Sequence, residues 1–468
     1  MLLVMDSARA GNFSCYGYTR PTTPNLDALA AQSTLYEQAI SVGCWTLPVH
    51  TSLFTGLYPG SHGVTISRSA LPEDFPTLSR QLQQLGYQTA CFSNNAYVSE
   101  ATRLTQGFDT VEDVWRTTNP RGMAKPKASK FLKQLEQRSP VLKPAVRAAQ
   151  MALRARLAAR AWRSTKDKGA RLTNQKVEDW LTRLRQPDAP FFIFVNYMEC
   201  HERYSPPYPY NRKFMPARYS PWRVSQLSPN KAEILAGPPK RRAEDLEIMQ
   251  ALYDGELNYL DSKIGELVRF LELLGVLDET LLVVTSDHGD SLGEHGYLGH
   301  RVSLYDHLLH VPLIARYPGR FRAGRRVPQQ VALVDLYPTF LEMAGAEPAS
   351  IHTNGFQSLL APRPAEAHPF TVAENTAPKS MEGVIAHMIR DDRYKYIWKS
   401  NQQHELYDLR QDPAESTNLI MVERGVARRL DEQLEAWKRA HTGQSIETNE
   451  AEYDEVMIER LRGLGYVE

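Results

Sequence analysis

Four short runs constrain what this chain can fold into: Leu2-Leu3-Val4-Met5, Thr89-Ala90-Cys91-Phe92, Phe191-Phe192-Ile193-Phe194-Val195 and Leu281-Leu282-Val283-Val284-Thr285. They are continuous rather than alternating in hydrophobicity, as strands buried on both faces must be. Helical stretches separate them, so the pattern predicts an α/β fold around an open sheet. The runs stop at polar residues: Asp6; Ser93-Asn94-Asn95; Asn196, with Glu199 and His201; and Ser286-Asp287-His288-Gly289-Asp290. Open α/β sheets bind ligands at the carboxyl ends of their strands, so these residues are expected along one sheet edge.

A further short strand, Thr34 to Ile40, leads into Cys44-Trp45-Thr46-Leu47-Pro48-Val49-His50, and on to Gly56. Thr46 is expected to cap a helix whose first turn accepts Pro48, with Gly56 ending it. The unpaired N–H groups at such a start, aided by the helix dipole, make a seat for an anion. His50 falls one turn from Thr46 on the same face. Alone, a threonine cap with a nearby histidine is an ordinary helix start, and an Asp-His dipeptide an ordinary loop. Together with Asp6 they predict a site for one divalent cation: Mn²⁺, Zn²⁺, Mg²⁺ or Ca²⁺. In this reading Asp6, Asp287, His288 and Thr46 form the metal site, and Thr46 is also the direct nucleophile, its hydroxyl activated by the metal. His50 and the groups near His300 and Arg301 are expected to hold the oxyanion, and His201 to protonate the leaving oxygen. Asn95, His300 and Arg301 are the candidate substrate-binding residues. No GxxxxGK[ST] motif occurs, and nothing in the set suits hydride or acyl transfer.

At 468 residues with 42% hydrophobic content, the chain can build a sizeable core and suggests two domains, or one with an appendage. The helices expected between the strands are Pro24–Gln32, Thr77–Leu85, Asn174–Arg185, Leu246–Leu274 and Val334–Ala344, with one more strand at Val311–Ala315. Pro206 to Pro238 is proline-rich and is expected to be a long ordered loop over the site. Beyond about Glu374 the pattern changes to strands at Gly383–Arg390, Arg393–Lys399 and Glu405–Leu409, closed by a helix at Val422–His441. That gives a large catalytic domain over 1–375 and a small α+β domain over 376–468. The net charge of +1 conceals a basic insert over 116–173, at +14, in a body carrying −13. Val146, Ala149, Leu153 and Leu157 mark an apolar stripe among its arginines. It reads either as a solvated helix packed over the body or as a contact for a membrane surface or polyanion. No nucleic-acid partner is expected. Four cysteines without CxxC spacing exclude a zinc knuckle and suit a reducing compartment. Met1 to Met5 is too short for a signal peptide or membrane span, so a cytoplasmic protein is expected.

Several motifs match something known. The opening Leu-Leu-Val-Met-Asp-Ser-Ala-Arg, the Ser-Cys-Tyr-Gly-Tyr turn and Pro24-Asn25-Leu26-Asp27 resemble the sulfatase family of the alkaline-phosphatase superfamily. So do Leu53-Phe54-Thr55-Gly56-Leu57-Tyr58-Pro59, Thr285 to Asp290, Val311-Pro312-Leu313-Ile314 and Glu405-Leu406-Tyr407-Asp408-Leu409 with Asp412-Pro413 and Asn418-Leu419. The resemblance implies an alkaline-phosphatase-like α/β/α sandwich with a mixed sheet, then a small domain with an antiparallel sheet. It also implies one divalent cation on Asp6, Asp287 and His288, and hydrolysis or transfer of phosphate or sulfate esters. The family's usual C/S-x-P-x-R motif, whose first residue becomes formylglycine, reads Thr46-Leu-Pro-Val-His50 here. Threonine lacks the CH₂ that this oxidation needs, so no formylglycine is expected and Thr46 must act as itself. Ser7 stands where a second aspartate often follows the first, and the family's lysine near the Asn94 position is absent. Direct threonine nucleophiles resemble those of the superfamily's phosphoester transferases and phosphodiesterases. The expectation is therefore a hydrolase or transferase of phosphate mono- or diesters. The alternatives are a sulfate ester hydrolase using unmodified Thr46, or a non-catalytic relative that binds anionic glycans or lipids.

Overall fold

The computed structural model describes residues 1–65, 67–118, 143–227, 242–300, 303–346, 358–360, 369–375, 383–441, 446 and 448–464. Its strands are β1 Leu2–Met5, β2 Thr34–Ile40, β3 Gln88–Ser93, β4 Thr110–Asp113, β5 Phe191–Tyr197, β6 Leu282–Thr285, β7 Ser291–Leu292, β8 Leu298–Gly299, β9 His310–Val311, β10 Leu313–Arg316, β11 Arg325–Ala332, β12 Thr371–Asn375, β13 Ala386–Arg390, β14 Tyr394–Lys399 and β15 Glu405–Asp408. Among the described residues nine form one sheet, in the order β11-β2-β10-β6-β1-β5-β3-β4, with β9 beside β2. Along that path only β10 runs against the rest. The sheet is therefore mixed, yet β1, β2, β3, β5 and β6 all end at the same edge. Register makes those ends level: Val4 lies beside both Asn196 and Thr285, and Ser93 beside Asn196.

Alternate residues of the central strands enter two separate cores, as a pleated strand requires. Leu2, Val4, Phe192, Phe194 and Val283 pack with Leu47, Leu53 and Phe54 of the Thr46–Thr55 helix and with Leu336 to Leu341. Leu3, Met5, Ile193, Val195 and Val284 pack on the other side with Leu26, Val177 and Ile248 to Ile264. These come from helices Pro24–Ala31, Ala170–Asp179 and the 31-residue Ala243–Leu273. Helices thus cover both faces, giving an α/β/α sandwich.

The second sheet is antiparallel, ordered β12-β13-β14-β15, and begins at Thr371, drawing its first strand from residues before 376. Its Val372, Met388, Tyr396 and Leu406 belong to the same buried cluster as the Thr46–Thr55 helix, together with Leu430, Leu434 and Trp437 of helix Arg424–His441. The two sheets share one core.

Of the basic insert, 119–142 lie outside the described residues, and Lys143–Ala161 is a helix. Val146 and Ala158 are buried and Leu153 and Leu157 half-buried, while Ala149 is exposed. The helix packs against the short Pro221–Ser225 helix. Up to residue 227 the proline-rich segment is mostly irregular chain, with two short helical turns at Tyr210–Lys213 and Pro221–Ser225. It lies along the long helix, with Lys213 Nζ donating to Asn258 Oδ1 at 2.8 Å. Proline at a first helical position explains the second turn; residues 228–241 lie outside the described residues. Among the described residues no helix is long and apolar enough to cross a membrane, and none of the four cysteines forms a disulfide.

Candidate active site

The level strand ends bring Asp6, Asn95, Asn196, His201, Asp287 and His288 together, all of them buried. Asp6 follows β1, where its backbone N–H still donates to Tyr197 O at 2.8 Å. Asn95 Nδ2 donates to Asp6 Oδ2 at 2.7 Å and Ser7 Oγ to Asp6 Oδ1 at 3.0 Å. Ser7 has a left-handed φ of 63°, and its N–H is directed at Asp287 Oδ1, 3.2 Å away. His288 N also donates to Asp287 Oδ1, at 2.8 Å. The other oxygen, Asp287 Oδ2, is buried and has no hydrogen-bond partner among the described residues.

His288 Nδ1 lies 2.8 Å from Gly289 O, which fixes that nitrogen as the donor and leaves the Nε2 lone pair facing Asp287 and Thr46. Burial holds the His288 pKa down to about 3, so the ring is neutral. Burial, then the charge of Asp287, raises Asp6 to about 7, and burial raises Asp287 too. Two buried carboxylates and a neutral imidazole, with ligand atoms all within 4.8 Å of one another, form a donor set that lacks only positive charge. The orphaned Asp287 Oδ2 and the aimed Nε2 fit a divalent cation of the oxygen- and nitrogen-preferring kind.

The Thr46–Thr55 helix delivers the hydroxyl. All ten of its residues are buried, which is how an apolar helix sits between a sheet and a second layer. Thr46 is not the cap, as the sequence suggested. Trp45, extended at φ −161°, occupies that position with no side-chain cap, and Thr46 is the first helical residue. The reason is competition: Thr46 Oγ1 lies 3.4 Å from both Asp6 Oδ2 and His288 Nε2, so it faces the donor set rather than its own helix. Gly56 ends the helix as expected, at φ 67°, donating to Ser52 O at 2.8 Å. His50, one turn on, has Nδ1 3.0 Å from Thr46 O and Nε2 3.4 Å from Asn196 Nδ2. Its Nδ1 also lies 3.6 Å from Asp287 Oδ2, and burial lowers its pKa.

Beside this lies a second cluster. His201, Glu202 and His300 also bring ligand-type atoms within 4.8 Å of one another. Glu202 Oε2 stands 3.3 Å from His201 Nδ1 and 3.2 Å from His300 Nδ1, and Asp290 Oδ1 is 3.3 Å from His300 Nδ1. Burial would lower His300, but Glu202 and Asp290 outweigh it and raise its pKa to about 10, so His300 is an imidazolium. Burial instead takes His201 down to about 3. Lys168 braces the loop beneath, donating to the carbonyls of Glu199 and His201 at 2.6 Å each. Arg301 lies outside the described residues. Glu202, Asp290 and Lys168 were not assigned roles from sequence. Asp290 stood in the quoted Asp-His-Gly-Asp run, whereas nothing local marks Glu202 or Lys168.

The sandwich, the level strand ends and a hydroxyl beside a two-carboxylate, one-imidazole donor set define an ester hydrolase of the alkaline-phosphatase-like fold. Comparison with known proteins makes that specific. The family model Sulfatase matches residues 1–346, and that of the N-sulphoglucosamine sulphohydrolase C-terminal region matches 293–440. The chain belongs to the sulfatase family, whose enzymes bind a divalent cation. It is 25% identical to the N-acetylglucosamine-6-O-sulfatase of Bacteroides thetaiotaomicron, covering 90% of this chain and 82% of that one. It is 24% identical to the arylsulfatase of Clostridium perfringens, covering 90% of each. The fold is shared with the phosphonate monoester hydrolase of Agrobacterium radiobacter at TM-score 0.69 and 22% identity, over 94% of this chain and 95% of that chain.

Proposed function

We propose that this protein cleaves phosphate mono- or diesters, by hydrolysis or transfer, with the Thr46 hydroxyl as direct nucleophile. The observation that carries the reading is the position of Thr46 Oγ1, 3.4 Å from both Asp6 Oδ2 and His288 Nε2 at a buried helix start. Asp6, Asp287 and His288 would hold a divalent cation, which would supply positive charge that favours the alkoxide and offsets the charge of the ester. Asn95 and Ser7 hold the Asp6 carboxylate in place. His50 braces the helix start through the Thr46 carbonyl, and the helix N-terminus and the His300 imidazolium favour an anion in the site. Thr46 Oγ1 forms a bond to phosphorus as the ester P–O bond breaks. The Thr46 proton passes to solvent, and the departing alcohol takes a proton for which His201 is the candidate donor. His201 is neutral in the resting site, so it would have to take up that proton from solvent when the negative ester binds beside it. Water, or an acceptor alcohol, then takes the phosphoryl group from threonine.

The names of the curated relatives favour a second reading, sulfate ester hydrolysis by the same unmodified threonine. Turnover of para-nitrophenyl phosphate, bis-para-nitrophenyl phosphate and para-nitrophenyl sulfate with added Mn²⁺ separates the two. Phosphate esters turned over with a phosphothreonine at position 46, seen by mass spectrometry, support the first reading. Sulfate turnover alone supports the second. No turnover of any ester by metal-loaded protein overturns both and leaves a binding protein.

A further inference from the structure

A groove of about 1000 Å³ opens beside the second histidine cluster, with His201 and Glu202 in one wall and Arg460 and Arg462 of helix Glu455–Gly463 in another. Its described lining carries six basic side chains against three acidic ones. Several are already committed. Lys168 pairs with Glu256 at 2.8 Å, Arg171 lies 4.0 Å from Asp167, and Glu202 engages His201 and His300. Lys166 and Arg203 stand exposed at the rim.

Arg460 is different. It is only 8% exposed, yet no carboxylate among the described residues pairs with it. Its one hydrogen bond there runs from Nη1 to Thr118 O at 3.4 Å, and Nε has no partner. Burial without a counter-charge pushes its pKa down to about 10. A guanidinium presents five donors in a rigid fork shaped for a two-oxygen acceptor, and leaving it buried and unpaired is costly. Elsewhere in the fold buried arginines are paired, as Arg390 is with Asp306 at 2.7 Å.

We infer that Arg460 is an anion subsite, and that the groove takes esters carrying a second oxyanion, a phosphate or a sulfate, besides the one presented to Thr46. This rests on the reading of Thr46 given above and extends it to the substrate's far end. The scissile group enters past His201, and the body of the molecule lies along the groove with its second anion on the Arg460 fork.

Binding measured by calorimetry on metal-loaded Thr46→Ala protein tests this without turnover. The probes are fructose bisphosphate against fructose monophosphate, and disulfated against monosulfated glucosamine, which separate the two sources of anion. The member of at least one pair that carries two anionic groups is expected to bind about tenfold tighter. Arg460→Met should erase that ratio while leaving binding of the probe with one anionic group unchanged, and Arg460→Lys should keep part of it. Thermal melting checks that each variant is folded; if Arg460→Met is not, Arg460→Lys against the parent decides. Equal affinity within both pairs, or a ratio untouched by either substitution, overturns the subsite. A ratio that depends on Arg460 in a protein that turns over no ester would retain the subsite and reject the catalytic reading.

Discussion

Thr46 and the two aspartates make separable demands. On the proposed reading, removing the hydroxyl takes away the nucleophile but leaves Asp6, Asp287 and His288 in place. Thr46→Ala should therefore lower kcat about a thousandfold or more and abolish covalent labelling, while metal content by elemental analysis stays near that of the parent. Loss of metal instead would make Thr46 chiefly a ligand. Asp287→Asn should do the reverse and strip the cation, because Asp287 Oδ2 is the oxygen with nothing else to bind. A full complement of metal in that variant would overturn the assignment. Asn95→Ala leaves every ligand in place but frees Asp6 Oδ2, and should weaken metal affinity roughly 10- to 100-fold, read by competition with a chelating dye. At this scale the sequence was informative wherever a residue sits at the end of a strand. Asp6, Asp287 and His288 followed from apolar runs that stop abruptly. It was silent where chemistry comes from afar: Glu202 meets His300 only through the fold, and Arg460 reaches the groove from the last helix.

At the scale of elements, the Thr46–Thr55 helix is the most constrained. Gly56 ends it in the left-handed region, and a Cβ there would stand 2.6 Å from Tyr337 Cδ1. Gly56→Ala should cost roughly 2 kcal/mol through backbone strain and that collision, read as a fall in the unfolding midpoint in urea. An unchanged midpoint would show that the helix end is free to move. The strand runs and the helix start were legible because burial on both faces leaves unbroken hydrophobicity and proline tolerates a first turn. The cap was not, since a threonine reads equally well as cap or as first helical residue until its hydroxyl is seen to face Asp6. Within the proline-rich segment, Pro221 stands at the start of one short helical turn, which composition alone does not mark.

Across the whole molecule, buried histidines set the response to acid. His62 lies in the core, accepting from Val64 N at Nδ1 and facing Pro48 O through Nε2, and burial takes it down to about 3. His307 is lowered likewise, to about 3. A base with a depressed folded pKa contributes stability that is complete above its unfolded value of about 6.5 and is lost as pH falls from there toward about 3. Well below that unfolded value the loss is about 1.4 kcal/mol per pH unit for each such histidine. His62 and His307 should each therefore subtract stability as pH falls below ~6, against buried carboxyls such as Glu199, raised to about 8, that act the other way, and His62→Gln should change the slope by about one proton. A slope the same in both proteins would mean His62 titrates normally. Chelation should lower the thermal midpoint of the parent but not of Asp287→Asn, since only a protein that binds the ion is stabilised by it.

The shared core has a consequence for how the protein is made. Tyr58, just past the Thr46–Thr55 helix, meets the Trp437 ring edge-on at 4.8 Å, and Ser61 Oγ donates to His441 O at 2.6 Å. Glu374 meanwhile accepts from Gly60 N at 2.6 Å. The segment that follows the Thr46–Thr55 helix is thus clamped by residues synthesised 314 to 380 positions later. A nascent chain that already holds Asp6, Thr46, Asp287 and His288 but not yet Trp437 and His441 would lack this clamp, so competence should emerge only once those residues have been made.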